Sequence, residues 1–322
     1  MRRLAIRRGR ASRSAPARGR PGSPGGPRAP IVLAAALLAL SGCASTPPPC
    51  ELSTPGAPWL AFASLRTGRH AIWRARADGT CLEQVTRSTG TDLYPSWTGR
   101  TVAFASDRSG ALRLWTHDLA TGAEAMRDTG TLDAATAPAF SPDGAAIAFE
   151  GRAAGSLTSD VYVVPAAGGA IVPLAADPAD DAGPAWAPDG LTVYFVSTRS
   201  GAYEVWSVPA AGGTAVQVTT GSRIVGKPAV AVDGASIFYA RTVAGGSATE
   251  VVRQDLAGGA IAVVSSQDDS EPALGPSGRH LALRSFRGGS ADIVVAALDG
   301  TGPLFVTSDV ASDGAPAFAR GL

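Results

Sequence analysis

The chain has 322 residues, 45% of them hydrophobic and 17% charged, with 39 glycines and 24 prolines. That is enough apolar material for a buried core, and the Gly/Pro density without long apolar runs at helical spacing excludes a mainly helical fold. The formal charge of +1 is uneven: residues 1–42 hold nine of the 28 basic side chains and none of the 27 acidic ones, leaving 19 against 27, a balance of −8. With Lys227 as its single lysine, that acidic remainder lacks the basic surface that nucleic-acid binding needs, and no nucleic-acid partner is expected.

The first predicted element is an export leader. Nine arginines precede the ten-residue apolar run IVLAAALLAL, which is followed by SGC. A basic region, a short apolar core and small residues describe a signal peptide over 1–42, and ten residues are too few to span a bilayer. Leu40-Ser41-Gly42-Cys43 resembles the bacterial lipobox, which implies lipidation of Cys43 and attachment to a membrane of the envelope. In such lipoproteins the residue after the cysteine steers sorting, and Ala44 favours the outer membrane, facing the periplasm. Residues 43–58 then read as a Pro-rich tether. Cys50 and Cys81 are left as either a disulfide, suited to an oxidising compartment, or two free thiols.

From residue 59 to 322 one unit recurs six times. Its strongest strand appears as LAFAS (60–64), VAFAS (102–106), IAFEG (147–151), VYFVS (193–197), IFYAR (237–241) and LALRS (281–285). Before it stand YPSW, APAF, GPAW, KPAV and EPAL, joined to it by turns such as SPDG and APDG. A third strand (RLWTH, DVYVV, EVWSV) and a Gly-rich turn lead to a short fourth. Four-strand units at this period predict an all-β, six-bladed β-propeller. Proline is tolerated on a strand edge, so Pro95, Pro138, Pro184, Pro228, Pro272 and Pro316 are expected on innermost strands facing a channel. The first unit opens at its second strand, and APAFA (315–319) is expected to supply its missing inner strand and close the ring.

The phrases PAFSPDGAAIAF, PAWAPDGLTVYFVSTRSGAYEVW and VAFASDRSG resemble the repeats of TolB-type six-bladed propellers over all six units. The resemblance implies a propeller; TolB proper is soluble, periplasmic and carries a further mixed α/β domain, in whose place this chain has the short tether.

Motifs of chemistry are sparse. No G-x-S-x-G, H-E-x-x-H or phosphate-loop pattern occurs, and His70, His117 and His280 fall at dissimilar positions of different units, so no catalytic residue and no cofactor are expected. An arginine follows each second strand (Arg66, Arg108, Arg152, Arg199, Arg241, Arg287), and an acid often opens the next (Asp160, Glu204, Glu250, Asp292). These read as structural Arg–carboxylate pairs rather than a ring for an anionic ligand. The loops entering the inner strands carry Asp92, Asp133, Asp180, Asp181, Asp268, Asp269, Glu271 and Asp313, with only Arg223 and Lys227 opposing them. That pattern predicts an acidic channel mouth for a basic peptide, an envelope protein or a divalent cation. Two functions follow: a non-enzymatic, membrane-tethered binding scaffold, or a lyase- or hydrolase-type enzyme, carbohydrate-active among them, with a metal-assisted site at that mouth.

Overall fold

A computed structural model describes residues 50–52, 55–175 and 177–322; the expected leader and Cys43 lie outside them. The described residues contain 24 strands and no helix. The first segment supplies β1 (Trp59–Ser64), β2 (Ala71–Arg76) and β3 (Glu83–Gln84). Four-strand groups follow: β4 (Asp92–Thr98), β5 (Thr101–Ser106), β6 (Arg113–Asp118) and β7 (Glu124–Met126), then β8 (Leu132–Phe140), β9 (Ala146–Ala153), β10 (Asp160–Pro165) and β11 (Val172–Ala175). Next come β12 (Asp181–Trp186), β13 (Thr192–Ser197), β14 (Glu204–Pro209) and β15 (Val216–Gln217). The last groups are β16 (Ile224–Val230), β17 (Ser236–Thr242), β18 (Thr249–Asp255) and β19 (Ile261–Ser265), and β20 (Ser270–Leu274), β21 (His280–Ser285), β22 (Asp292–Ala297) and β23 (Leu304–Phe305). A final strand, β24 (Asp313–Arg320), stands alone in sequence.

Each group is an antiparallel meander, because its turns are short and carry the residues that tight turns need. At Ser141–Gly144, Asp143 Oδ1 accepts hydrogen bonds from Ser141 Oγ at 2.6 Å and from the Ala145 amide at 3.0 Å. Gly144 takes the left-handed position there at φ +72°, which costs a residue without a Cβ little. The second strand of each group is buried on both faces, and so reads as a continuous apolar run rather than an alternating one; β1 is buried at all six positions.

The sheets are not six separate ones. Four are four-stranded, and the fifth has eight strands in the order β3-β2-β1-β24-β4-β5-β6-β7. β24 pairs antiparallel with β1, through Leu60↔Phe318 and Ala61↔Ala317, as expected for a strand that completes the first group. It also meets β4 in a short parallel contact, Ala319↔Trp97 and Arg320↔Thr98. The Gly99 amide extends that contact by donating to the Arg320 carbonyl at 2.7 Å. The inner strands converge so closely at that end that two neighbouring groups share hydrogen bonds.

Packing follows the same order. Six apolar clusters each join one strand group to the next; one sets Leu114 of β6 against Leu132, Phe140 and Phe149 of the following group. The cluster of Ala273, Ile293 and Val295 with Leu60, Phe62 and Phe318 returns from the last group to the first. Phe62, Phe104, Phe149 and Phe195 are fully buried, each contributing about 1.5–3 kcal/mol through burial. The six prolines all line one central chamber of about 90 Å³, which places the inner strands around a common axis.

Cys50 and Cys81 form a disulfide. With Leu52 they pack against a cluster holding Trp59, Val85 and Trp97, and Arg76 donates to the Ala57 carbonyl at 3.1 Å while lying over the Trp59 ring. Cys50, Leu52 and Ala57 are thereby fixed to the first strand group.

Candidate functional site at the channel mouth

The inner strands share a local distortion at their prolines. Pairing slips between Leu93 and Ser96, Thr136 and Ala139, Ala182 and Ala185, Val225 and Ala229, and Ser270 and Ala273. Such slips are β-bulges, in which extra residues bend the strand and re-aim a side chain. The residue before the proline is forced into left-handed backbone: Tyr94 (φ 52°), Ala137 (47°), Gly183 (57°), Glu271 (51°) and Ala315 (51°). In β16 the distortion falls one residue earlier, at Gly226 (73°). For the four non-glycine residues this conformation costs on the order of 1–3 kcal/mol each, the kind of strain that gathers at binding sites.

All six of these residues line one cavity of about 420 Å³ above the proline chamber. Its walls are mostly apolar, from Ala137, Ala182, Val196, Ile224 and Val225, with Tyr94, Tyr203, Glu150, Lys227 and Glu271 as polar groups. Tyr94 and Tyr203 are each 39% exposed. The Tyr203 hydroxyl donates to Asp180, a bond that pushes its pKa up to about 12. Burial, followed by the charges of Glu271 and Glu150, raises Tyr94. Both hydroxyls therefore stay protonated, that of Tyr203 with its proton committed to Asp180. Burial also raises Glu150, whose carboxylate accepts from Ser159 Oγ at 3.3 Å. Glu271 accepts from the Ala315 amide at 2.6 Å, tying one strained position to another.

The expected acidic rim is largely absorbed into the fold. Asp92, Asp181, Asp269 and Asp313 are buried and ion-paired, with Arg108 (2.9 Å), Arg199 (2.6 Å), Arg287 and Arg66 (2.7 Å) respectively. The backbone register explains why: Asp92 lies opposite Ser106, Asp181 opposite Ser197 and Asp313 opposite Ser64. The arginine two residues beyond each serine curls back, donating Nε to the serine hydroxyl at 2.7–2.9 Å and its outer nitrogen to the aspartate. Its guanidinium covers two rings, Phe62 and Trp73 for Arg66, Phe104 and Trp115 for Arg108, Phe195 and Trp206 for Arg199.

These arginines are structural, as their recurrence suggests, but four of them pair with the acid opening the preceding inner strand. Only Arg241 pairs with the acid of the following strand, Glu250, at 2.8 Å. Arg152 is exposed and has no ion pair among the described residues; Ala135 and Gly151 stand where the first, second and fourth groups pair aspartate with serine.

The remaining predicted acids serve loops. Asp133 accepts from the Gly155 amide, Asp180 from Ser159 and Tyr203, and Asp268 from Thr249. Of the eight predicted acids, Glu271 alone lines the cavity. Sequence reasoning missed Tyr94, Tyr203 and Glu150; the position before each proline was the signal available for the first. His117 faces Glu124 at 3.1 Å, and His70 is lowered by burial and by Arg284. Among the described residues, no group of three or more His, Cys, Asp or Glu is arranged to hold a metal ion.

Comparison with known proteins adds a family and a fold. The TolB beta propeller domain model matches residues 113–302. TolB from Acinetobacter baumannii is similar with a TM-score of 0.71 at 21% identity, over 83% of this chain and 68% of that one. A putative TolB from Agrobacterium tumefaciens gives 0.62 at 19%, over 79% and 90%. An oligogalacturonate lyase in complex with manganese gives 0.52 at 14%, over 75% and 86%. At these identities the likeness to solved structures is one of fold.

Proposed function

This chain belongs to the TolB beta propeller domain family, and from that membership we propose that it is a non-enzymatic scaffold that binds a protein partner at the channel mouth. We take the propeller to be six-bladed, with β24 as the inner strand of the first blade. Six proline-bearing strands around one chamber and six clusters between consecutive strand groups support that count. The single observation that carries the binding reading is the cavity itself. Left-handed backbone from every inner strand, strained at four of the six, an apolar wall and two half-exposed tyrosines converge on it, the composition that protein interfaces favour. Its few charges, after the clamped aspartates are set aside, suit a peptide with an apolar anchor better than a purely basic one.

In this reading Cys43 carries the lipid, residues 1–42 are removed on export, and the propeller is held in the periplasm at the outer membrane. Several acyl chains at about 0.8 kcal/mol per buried methylene would anchor it. A photo-reactive amino acid at position 94 or 203, introduced in the bacterial envelope, tests the site. One discrete cross-linked protein from both positions, and none from the fully exposed Val310, is expected. Labelling that is the same at all three positions would overturn the assignment.

A second reading, an enzyme with a lyase or hydrolase site at the mouth, draws on one observation. Glu150, raised by burial, and Lys227, lowered by it, line the same cavity, an arrangement that can serve proton transfer. Turnover of an oligogalacturonate with added manganese, lost in Glu150→Gln, would establish it; inert protein leaves the scaffold.

A further inference from the structure

The only lysine of the chain lies in the channel. Lys227 lines both the mouth cavity and the proline chamber beneath it. From β24, Arg320 enters the same chamber. The rest of the chamber wall is proline, alanine, tryptophan, phenylalanine, valine, leucine and Ser96, with no carboxylate among the lining residues. Ser96 Oγ is already engaged by the Phe140 amide at 3.0 Å, and the Trp97 and Trp186 indoles are engaged by the Gly99 and Ala139 carbonyls. The acid whose charge acts on Lys227 is Glu271 at the rim, whose carboxylate takes the Ala315 amide.

Two half-buried cations thus line one chamber with no ion pair or side-chain hydrogen bond among the described residues. Burial is the main cause that lowers Lys227; the charge of Glu271 raises it, and that of Arg320 lowers it by less than Glu271 raises it; burial lowers Arg320 as well. Like charges held together in a low-dielectric space repel strongly, and buried charges persist when something neutralises them. A lysine ammonium offers three donors and a guanidinium five, a set that matches the several oxygens of a small oxyanion. A chamber of about 90 Å³ is roomier than one water requires, about 10–15 Å³ on the same measure.

We propose that the central channel binds one small oxyanion, of the phosphate, sulfate or carboxylate class, between Lys227 and Arg320. The site is separate from the partner-binding reading, and neither depends on the other. The bound ion would neutralise the channel axis directly below the mouth.

Because the chain has one lysine, uniform labelling with ¹³C,¹⁵N-lysine gives the full-length protein a single Cε/Nζ correlation in its NMR spectrum. Titration of inorganic phosphate, sulfate or formate into an anion-poor buffer should move that signal saturably, with one ion per chain. Arg320→Met should weaken the apparent affinity by about tenfold or more, equivalent to about 1.4 kcal/mol. Should that variant fail to fold, Arg320→Lys, which keeps the charge but loses the fork, should weaken binding less while leaving it saturable. A signal that none of the three ions moves, a shift that grows without saturating, or an affinity unchanged in the folded variant would each overturn the proposal.

Discussion

Replacing Arg199 by methionine keeps much of the side-chain stem and removes the clamp of the fourth strand group. The variant loses the bond to Asp181 at 2.6 Å, the bond from Nε to Ser197 at 2.9 Å and the contacts over Phe195 and Trp206 at 5.3 and 5.0 Å. Asp181 has no exposed side-chain surface, so the change strands a buried carboxylate. Breaking one side of such a pair costs about 3–5 kcal/mol, and the ring contacts add about 0.5–1 kcal/mol. A loss near 4 kcal/mol should appear as a lower midpoint in urea unfolding followed by tryptophan fluorescence. Removing the aspartate too, in Asp181→Ala/Arg199→Met, should restore part of that loss, because no unpaired charge remains; a double-mutant cycle reads the coupling directly.

The pH dependence gives an independent check. Burial raises the Asp181 carboxyl, with Ser197 and Arg199 partly opposing it. Without Arg199 it rises further. A carboxyl raised in the folded state contributes stability that is present at acid pH and lost as pH climbs through the folded value. The deficit of Arg199→Met relative to the parent should therefore be largest near neutrality and shrink on acidification toward the ordinary carboxylate range. A deficit below about 0.5 kcal/mol, the level of an ordinary surface change, or one that ignores pH, would refute the clamp as a stabilising device.

Deleting residues 314–322 removes the partner of β1 together with buried Ala315, Phe318 and Ala319; a loss above about 3 kcal/mol from burial alone is expected, and a truncated chain with the parent's urea midpoint would deny the closure. Reducing the Cys50–Cys81 bond, which spans 31 residues, should cost about 3–4 kcal/mol by loop entropy, measured as the difference in midpoint with and without reductant. Lys227→Met should stabilise the protein at neutral pH in anion-poor buffer. Its advantage should fade as pH rises, because a lowered lysine makes the parent gain stability up to the unfolded value, wherever the unfolded chain binds more protons. Gly183→Val adds a Cβ 2.8 Å from that of Lys227 at a φ of +57°, so loss of folding or a shift of the Lys227 NMR signal is expected; a variant matching the parent in both would show that this backbone is not fixed.

The repeat was legible because each strand group solves the same packing problem with the same pattern. The LAFAS and VYFVS runs fall within one residue of β1 and β13, and the prolines marked the innermost strands because few other positions can lack a donor. The site was less legible. A carboxylate in a loop looks alike whether it faces water or an arginine, so Asp92, Asp181, Asp269 and Asp313 read as a charged rim. Their partners lie 16 to 18 residues onward for Arg108, Arg199 and Arg287, and 247 residues back for Arg66. In retrospect, the serine two residues before those arginines was the clue that a fixed donor geometry was being built. Tyr94 and Ala137 carried no local sign of left-handed backbone, since for such residues that conformation is imposed by the bulge.

The disulfide also sets a mechanical path through the molecule. Tension applied to the chain ahead of Cys50 reaches a covalent junction before it reaches any of the described strands, and passes across to Cys81 in the turn after β2. Residues 51–80, which include β1 and its seam with β24, are thereby bypassed. The seam of β1 with β24 is kept out of the load path, so pulling from that end would not open it until the sulfur bridge was reduced.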